Sequence, residues 1–138
     1  MIRIQAKELQ KAVENVARPK GKTGARAWRK VSKYLPVLSH VLIRYDPGTG
    51  RILVATHDLT DPLVEYAHPL HNRDVVPFAT CVPTRPFTDW LRIAASYNDT
   101  LELDHDAARE ILRIYSGPSR TAFKCINARE FPPISIIQ

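Results

Sequence analysis

Residues 1–5 read MIRIQ and residues 6–17 read AKELQKAVENVA, and the change of period between them decides the fold class. The first stretch alternates apolar and polar residues, as a strand with one covered face does. From residue 6 the repeat lengthens. Leu9, Ala12, Val13 and Val16 fall at i, i+3, i+4 and i+7, while Lys7, Gln10, Lys11, Glu14 and Arg18 take the other side. The spacing predicts a helix over 6–17. Pro19, Gly21 and Gly24 interrupt its continuation, so a loop is expected next.

The helical signature returns once. Phe87, Trp90, Leu91 and Ala94 repeat the apolar stripe, with Thr84 as the expected cap, Pro86 tolerable in the first turn, and Arg85 and Arg92 on the polar side. Around the two helices the pattern is that of strands. Residues 37–45 and 51–56 flank the turn Asp46-Pro47-Gly48-Thr49-Gly50 and predict a hairpin. Further strands are expected over 62–67 and over 75–82, the latter at an edge or bulged because Pro77 cannot donate to a ladder. The remainder predicts strands over 100–104, 109–115 and 120–126, the last two joined by Ser116-Gly117-Pro118-Ser119. Each half thus supplies one amphipathic helix for one sheet face, an α+β plan with an internal pseudo-repeat, and residues 1–138 read as a single domain.

Charge adds a second signal. The net charge is +6, and residues 18–34 hold Arg18, Lys20, Lys22, Arg26, Arg29, Lys30 and Lys33 with no acid among them. The remaining 121 residues carry 13 basic and 14 acidic groups, so the whole excess lies in one short segment. A polyanion is the natural partner, and nucleic acid fits better than a membrane because the segment lacks an apolar stripe. Cys81 and Cys125 sit in apolar stretches with no further cysteine to pair at metal spacing, which predicts interior thiols in a reducing, cytoplasmic setting. No apolar run approaches the roughly 20 residues that span a bilayer.

Catalysis finds little purchase. A metal nuclease site could be assembled from His57, Asp58 and Asp61 with Asp104, His105 and Asp106, but the last three read better as the polar tip of a hairpin. His68 and His71 flank Pro69 in a segment that reads as a loop rather than a helix. Nucleophile elbow, phosphate-binding loop and dinucleotide fingerprint are all missing, so neither a catalytic residue, a metal nor a cofactor is expected. Trp28, Trp90 and Tyr97 are candidate stacking platforms for single strands, with Trp90 on the apolar helical face and therefore expected in the core.

Five strings then occur in one order: Leu35-Pro36-Val37-Leu38, Ala55-Thr56-His57-Asp58-Leu59, Val82-Pro83-Thr84-Arg85, Ser116-Gly117-Pro118-Ser119-Arg120 and Ala128-Arg129-Glu130-Phe131-Pro132. Together they resemble the first domain of the bacterial replicative sliding clamp, the beta subunit of DNA polymerase III. The resemblance covers the chain except the 18–34 loop, which is longer than usual. It implies a DNA clamp-like fold, two helices packed on antiparallel sheets, and a non-catalytic role in processive DNA replication. In that family three such domains make a protomer, and two protomers close a ring around duplex DNA with the helices lining the hole. By that likeness Lys7, Lys11 and Arg18 of helix one and Arg85 and Arg92 of helix two face phosphates. Lys20, Lys22, Arg26, Arg29, Lys30 and Lys33 reach them from the loop. Such contacts position without reading sequence.

The sequence also departs from the family. Where many members carry Ser-Gly-Arg-Ser-Arg-Phe at the ring seam, this chain has Ser116-Gly117-Pro118-Ser119-Arg120-Thr121. Arg120 is kept, and Phe123 and Lys124 are the expected substitutes for the missing charge and aromatic. His57 stands where a small hydroxyl residue is common, and Thr60 where an acid is. One domain cannot encircle DNA, so the chain is either an excised first domain or a stand-alone clamp-fold module for DNA binding or regulation. Further clamp domains or protomers are the implied partners, while the family's pocket for polymerase and clamp loader lies outside the first domain.

Overall fold

β1 (Ile2–Gln5) runs without a loop into α1 (Ala6–Ala17), and the first half continues through β2 (His40–Asp46), β3 (Arg51–His57) and β4 (Pro62–Ala67). The second half repeats that order: β5 (Phe78–Pro83) into α2 (Thr84–Tyr97), then β6 (Thr100–Asp106), β7 (Ile111–Ser116) and β8 (Ser119–Lys124). A two-residue β9 (Ile126–Asn127) and a 3-10 turn (Ala128–Glu130) follow. This computed structural model describes residues 1–17, 36–57, 61–70 and 76–134.

The halves exchange their first strands. A four-stranded sheet runs β1-β6-β7-β8 and a five-stranded sheet β4-β3-β2-β5-β9. β1 leaves its own half to pair antiparallel with β6, with Ile4 opposite Leu101, and β5 pairs antiparallel with β2, with Val82 opposite Val41. Because strand and helix are contiguous in both halves, the exchange brings α1 and α2 together on one side. There Leu9, Val13 and Val16 of α1 and Phe87, Leu91 and Ala94 of α2 join Ile2, Ile4, Val54 and Leu112 in the main core. Fully burying a side chain of this size contributes roughly 1.5–3 kcal/mol, so the two stripes fix the helices firmly. The α+β architecture and its internal repeat are therefore as the periodicities require.

The five-stranded sheet is covered on both faces. Its second face buries Val37, Leu38, Leu42, Leu53, Ala55, Cys81 and Phe131 beneath a 3-10 turn (Pro36–Ser39) and the segment after β9. That is why β3 is buried at every position after Arg51, whereas β6 and β7 alternate like a sheet with one wet face. It also corrects the expected strand over 37–45. Val37 and Leu38 are apolar because they roof the second cluster, and the strand begins only at His40.

Other boundaries shift for identifiable reasons. β5 starts at Phe78, after Pro77, and lies between β2 and β9 rather than at an edge. Thr84 is the first helical residue, not the cap: Pro83 precedes it without a side-chain cap, and the buried Thr84 Oγ1 has no hydrogen-bond partner among the described residues. The strand expected over 120–126 breaks at the buried Cys125, where the chain leaves one sheet and enters the other. Asp104, His105 and Asp106 lie within β6 and not at a hairpin tip, which residues 107–110 form.

Those residues close the second hairpin as Pro47–Gly50 close the first. Asp46 Oδ1 accepts from the Gly48 N–H at 2.8 Å, and Asp106 Oδ1 from the Arg109 N–H at 3.2 Å. At the last turn position the first hairpin has Gly50 at φ 69° and the second has Glu110 at φ 50°. Left-handed backbone is costly for a residue with a Cβ, so Glu110 is held there by something else.

Candidate nucleic-acid interface

The exposed stripe of α1 carries Lys7, Lys11 and Asn15, four residues apart and therefore about 6 Å along the axis from one to the next. On α2 the exposed stripe is Arg85, Asp89, Arg92 and Ser96. The helices lie side by side, with Lys7 near Arg92 at the end of α2, and Lys11 and Arg85 exposed elsewhere on the same pair of helices. Arg92 is joined to α1 by Glu14, whose Oε1 accepts from Arg92 Nε at 3.4 Å and from Gln10 Nε2 at 3.2 Å. With the Arg92 side chain 64% exposed, that pair is worth at most about 1 kcal/mol. A phosphate can displace it. Lys7, Lys11 and Arg85 make no ion pair among the described residues. Glu14 and Asp89 share the face, so its own positive excess is small.

Arg18, Lys20, Lys22, Arg26, Arg29, Lys30 and Lys33, and with them Trp28, lie outside the described residues. The basic segment follows α1 directly in the sequence.

The seam candidates all fall on β8, one of the two outer strands of the four-stranded sheet. Arg120 and Lys124 are exposed. Phe123 turns the other way and meets Phe87 and Trp90 edge-on, with ring centroids 5.5 and 6.2 Å apart. Trp90 is thus half-buried beside the core, while Tyr97 is 82% exposed.

The residues weighed as a metal site are dispersed. His57 is buried at the end of β3 against Phe131, and Asp61 precedes β4, both by the five-stranded sheet. Asp104 and Asp106 belong to the four-stranded sheet, with His105 on the opposite face of the same strand, and Asp58 and His71 lie outside the described residues. Asp106 loses solvation in its turn. The Arg109 N–H and the Arg113 guanidinium more than offset that loss and hold its carboxyl below the usual range. His68 offers its backbone N–H to Glu8 Oε1 at 3.1 Å. Among the described residues no three His, Cys, Asp or Glu side chains converge.

One polar cluster went unread in the sequence. Glu110 Oε2 accepts from Thr80 Oγ1 at 3.1 Å and contacts His105 Nε2 at 3.2 Å, while Oε1 accepts from Asn127 Nδ2 at 3.0 Å. Its carbonyl accepts from the Cys125 N–H at 2.8 Å. One residue thereby ties β5, β6 and β9 together where the chain changes sheets, which is what holds the left-handed backbone. The available signal was a glutamate where the equivalent hairpin has glycine. Burial, then the neighbouring Cys125 and Glu110, push the Cys81 thiol up to about 12, and burial raises Cys125 as well.

Two strand-exchanged halves with paired helices on one side and sheets behind them make the fold of a DNA clamp-like domain. Solved structures bear this out. The chain is similar to the DNA polymerase III subunit beta from Pseudomonas aeruginosa, with a TM-score of 0.75 and 24% identity, covering 98% of this chain and 32% of that one. Against the beta subunit from Thermotoga maritima the TM-score is 0.71 at 16% identity, covering 99% and 33%. Against the sliding clamp from Bacillus subtilis it is 0.74 at 14%, covering 99% and 34%. The chain spans about a third of the length of these clamps. No protein-family model and no curated protein matches it. What the likeness establishes is the fold.

Proposed function

We propose that residues 1–138 are a single non-catalytic clamp domain that holds duplex DNA through its phosphates and supports processive replication as part of a ring. The observation that carries this is the join between fold and charge. The entire positive excess of the chain follows directly on α1, the helix whose exposed face carries Lys7 and Lys11. Lys7, Lys11, Arg85 and Arg92 guide the duplex along the helices, and Arg18, Lys20, Lys22, Arg26, Arg29, Lys30 and Lys33 provide most of the attraction. None of these groups reads bases, as a sliding contact requires. Ring partners meet the β8 edge, where Arg120 and Lys124 are exposed and Phe123 braces the strand from below. Polymerase and clamp loader act through other domains, in the cytoplasm. Pro118 and Thr121 at the seam support a second reading, a clamp-fold DNA-binding or regulatory module that does not encircle DNA.

Binding of two unrelated duplexes at several salt concentrations tests the proposal. With about four loop cations on phosphates, log K falls with log salt at a slope near −3.6, roughly 0.9 per contact, and equally for both sequences. Replacing Arg26, Arg29, Lys30 and Lys33 by alanine flattens the slope. A native chain with no salt response, or an affinity untouched by the four substitutions, overturns it.

A further inference from the structure

Tyr97 ends α2 and is 82% exposed, and Ile93 one turn earlier is 61% exposed. A tyrosine ring open to this degree is free to take a flat partner on its face. It stands at a concavity of about 460 Å³ formed where the start of α1 meets the end of α2, lined also by Lys7, Gln10, Arg92, Asn98 and Asp99. That volume falls within the roughly 300–1,000 Å³ that holds small organic groups. The chemistry of the lining is mixed in an informative way. Lys7 and the loosely held Arg92 offer cations, but the Asp99 carboxylate beside them repels a phosphate placed inside the concavity and accepts hydrogen bonds from amino groups. A flat ring beside cations and an acceptor suits a nucleobase whose own phosphates remain outside. Bases within a duplex are stacked on both faces, so all but its two end pairs have no use for the ring.

We propose that this concavity is a site for single-stranded nucleic acid, in which an unpaired base stacks on Tyr97 while Lys7 and Arg92 hold the flanking phosphates. The site extends the duplex-binding reading of the helix face and adds a different substrate. Its ligand carries amino-bearing bases, which Asp99 receives. Asn98 is a positioning residue: its Nδ2 donates to Ser116 Oγ at 2.8 Å and its backbone N–H to the Ala94 carbonyl at 2.9 Å, which fixes the chain just beyond the ring.

The experiment is fluorescence anisotropy at low salt with a labelled short oligodeoxycytidine and, separately, a blunt duplex, using native chain, Tyr97→Ala and Tyr97→Phe. Tyr97→Ala weakens oligonucleotide binding roughly 5- to 150-fold, equivalent to the ~1–3 kcal/mol of one stacked base, while Tyr97→Phe keeps it and duplex affinity changes less than about 2-fold. Thermal melting of the variants checks that this exposed position leaves the fold intact. Unchanged oligonucleotide binding in Tyr97→Ala, equal losses on both ligands, or a native chain that does not bind the oligonucleotide overturns the site. A chain that binds the oligonucleotide through Tyr97 but ignores the duplex upholds this site and removes the duplex reading above.

Discussion

Replacing Glu110 by alanine removes a carboxylate shared by Thr80, His105 and Asn127 while leaving the backbone in its left-handed turn. A net hydrogen bond contributes about 1 kcal/mol, and a buried hydroxyl left unpaired costs about 1–3 kcal/mol. Thr80 is fully buried and keeps only the weak Cys125 thiol as a partner, so its hydroxyl incurs the lower part of that cost, and the partly exposed carboxylate likewise contributes at the lower end. The sum for Glu110→Ala is about 3–4 kcal/mol. Glu110→Gly loses the same bonds but relieves the strain of a Cβ at φ 50°, worth about 1 kcal/mol. Glycine should therefore be the milder substitution, reversing the usual order of the two residues. Urea unfolding followed by tryptophan fluorescence reads both, and in melting each kcal/mol corresponds to about 4 °C at this chain length. If Glu110→Gly is no more stable than Glu110→Ala, the backbone is not strained. If Glu110→Ala loses less than about 1 kcal/mol, the carboxylate does not hold the junction.

Two further outcomes follow from the titrating groups. With Cys81 at about 12 and Cys125 raised, native protein at pH 8 resists a thiol reagent that labels both once it is unfolded; rapid native labelling would show the junction to be open. Stability contributed by these thiols is complete below the ordinary thiol range and declines as pH rises above it, because the unfolded chain ionises first. Asp106 acts in the opposite direction: its lowered pKa gives stability that is present above the ordinary carboxylate range and lost as pH falls through the folded value. Asp106→Asn should shallow the acid limb of the unfolding profile, and an unchanged limb would remove Arg109 and Arg113 as its cause.

Local periodicity served where one face of an element was buried. α1 spans Ala6–Ala17 as its stripe requires, because only its apolar face is covered. The pattern misled where apolar residues had another employer. Val37 and Leu38 cover a second cluster, and the run from Arg120 to Ile126 is apolar enough for one strand yet serves two sheets. Exchange of first strands leaves no local trace, since Ile2 alternates in the same way whichever strand it faces. Of the candidate interface, Lys7, Lys11, Arg85 and Arg92 were legible because polar stripes are periodic too. Tyr97 was legible as a stacking ring, but the concavity beside it was not, because it is made by the end of one helix and the start of another.

The exchange of first strands also sets a schedule for the nascent chain. Ile2 finds its partner in Leu103, so the four-stranded sheet cannot begin to close on β1 until about a hundred further residues have been made. At roughly 5–20 residues per second, the first strand waits several seconds on the ribosome with an unpaired edge and two isoleucines in water. Contacts of such long sequence separation fold slowly even in the finished chain, since the loop must close before the pairing rewards it. The five-stranded sheet can therefore join the two halves first, through β5 on β2, and the four-stranded sheet that takes up β1 is the last to close.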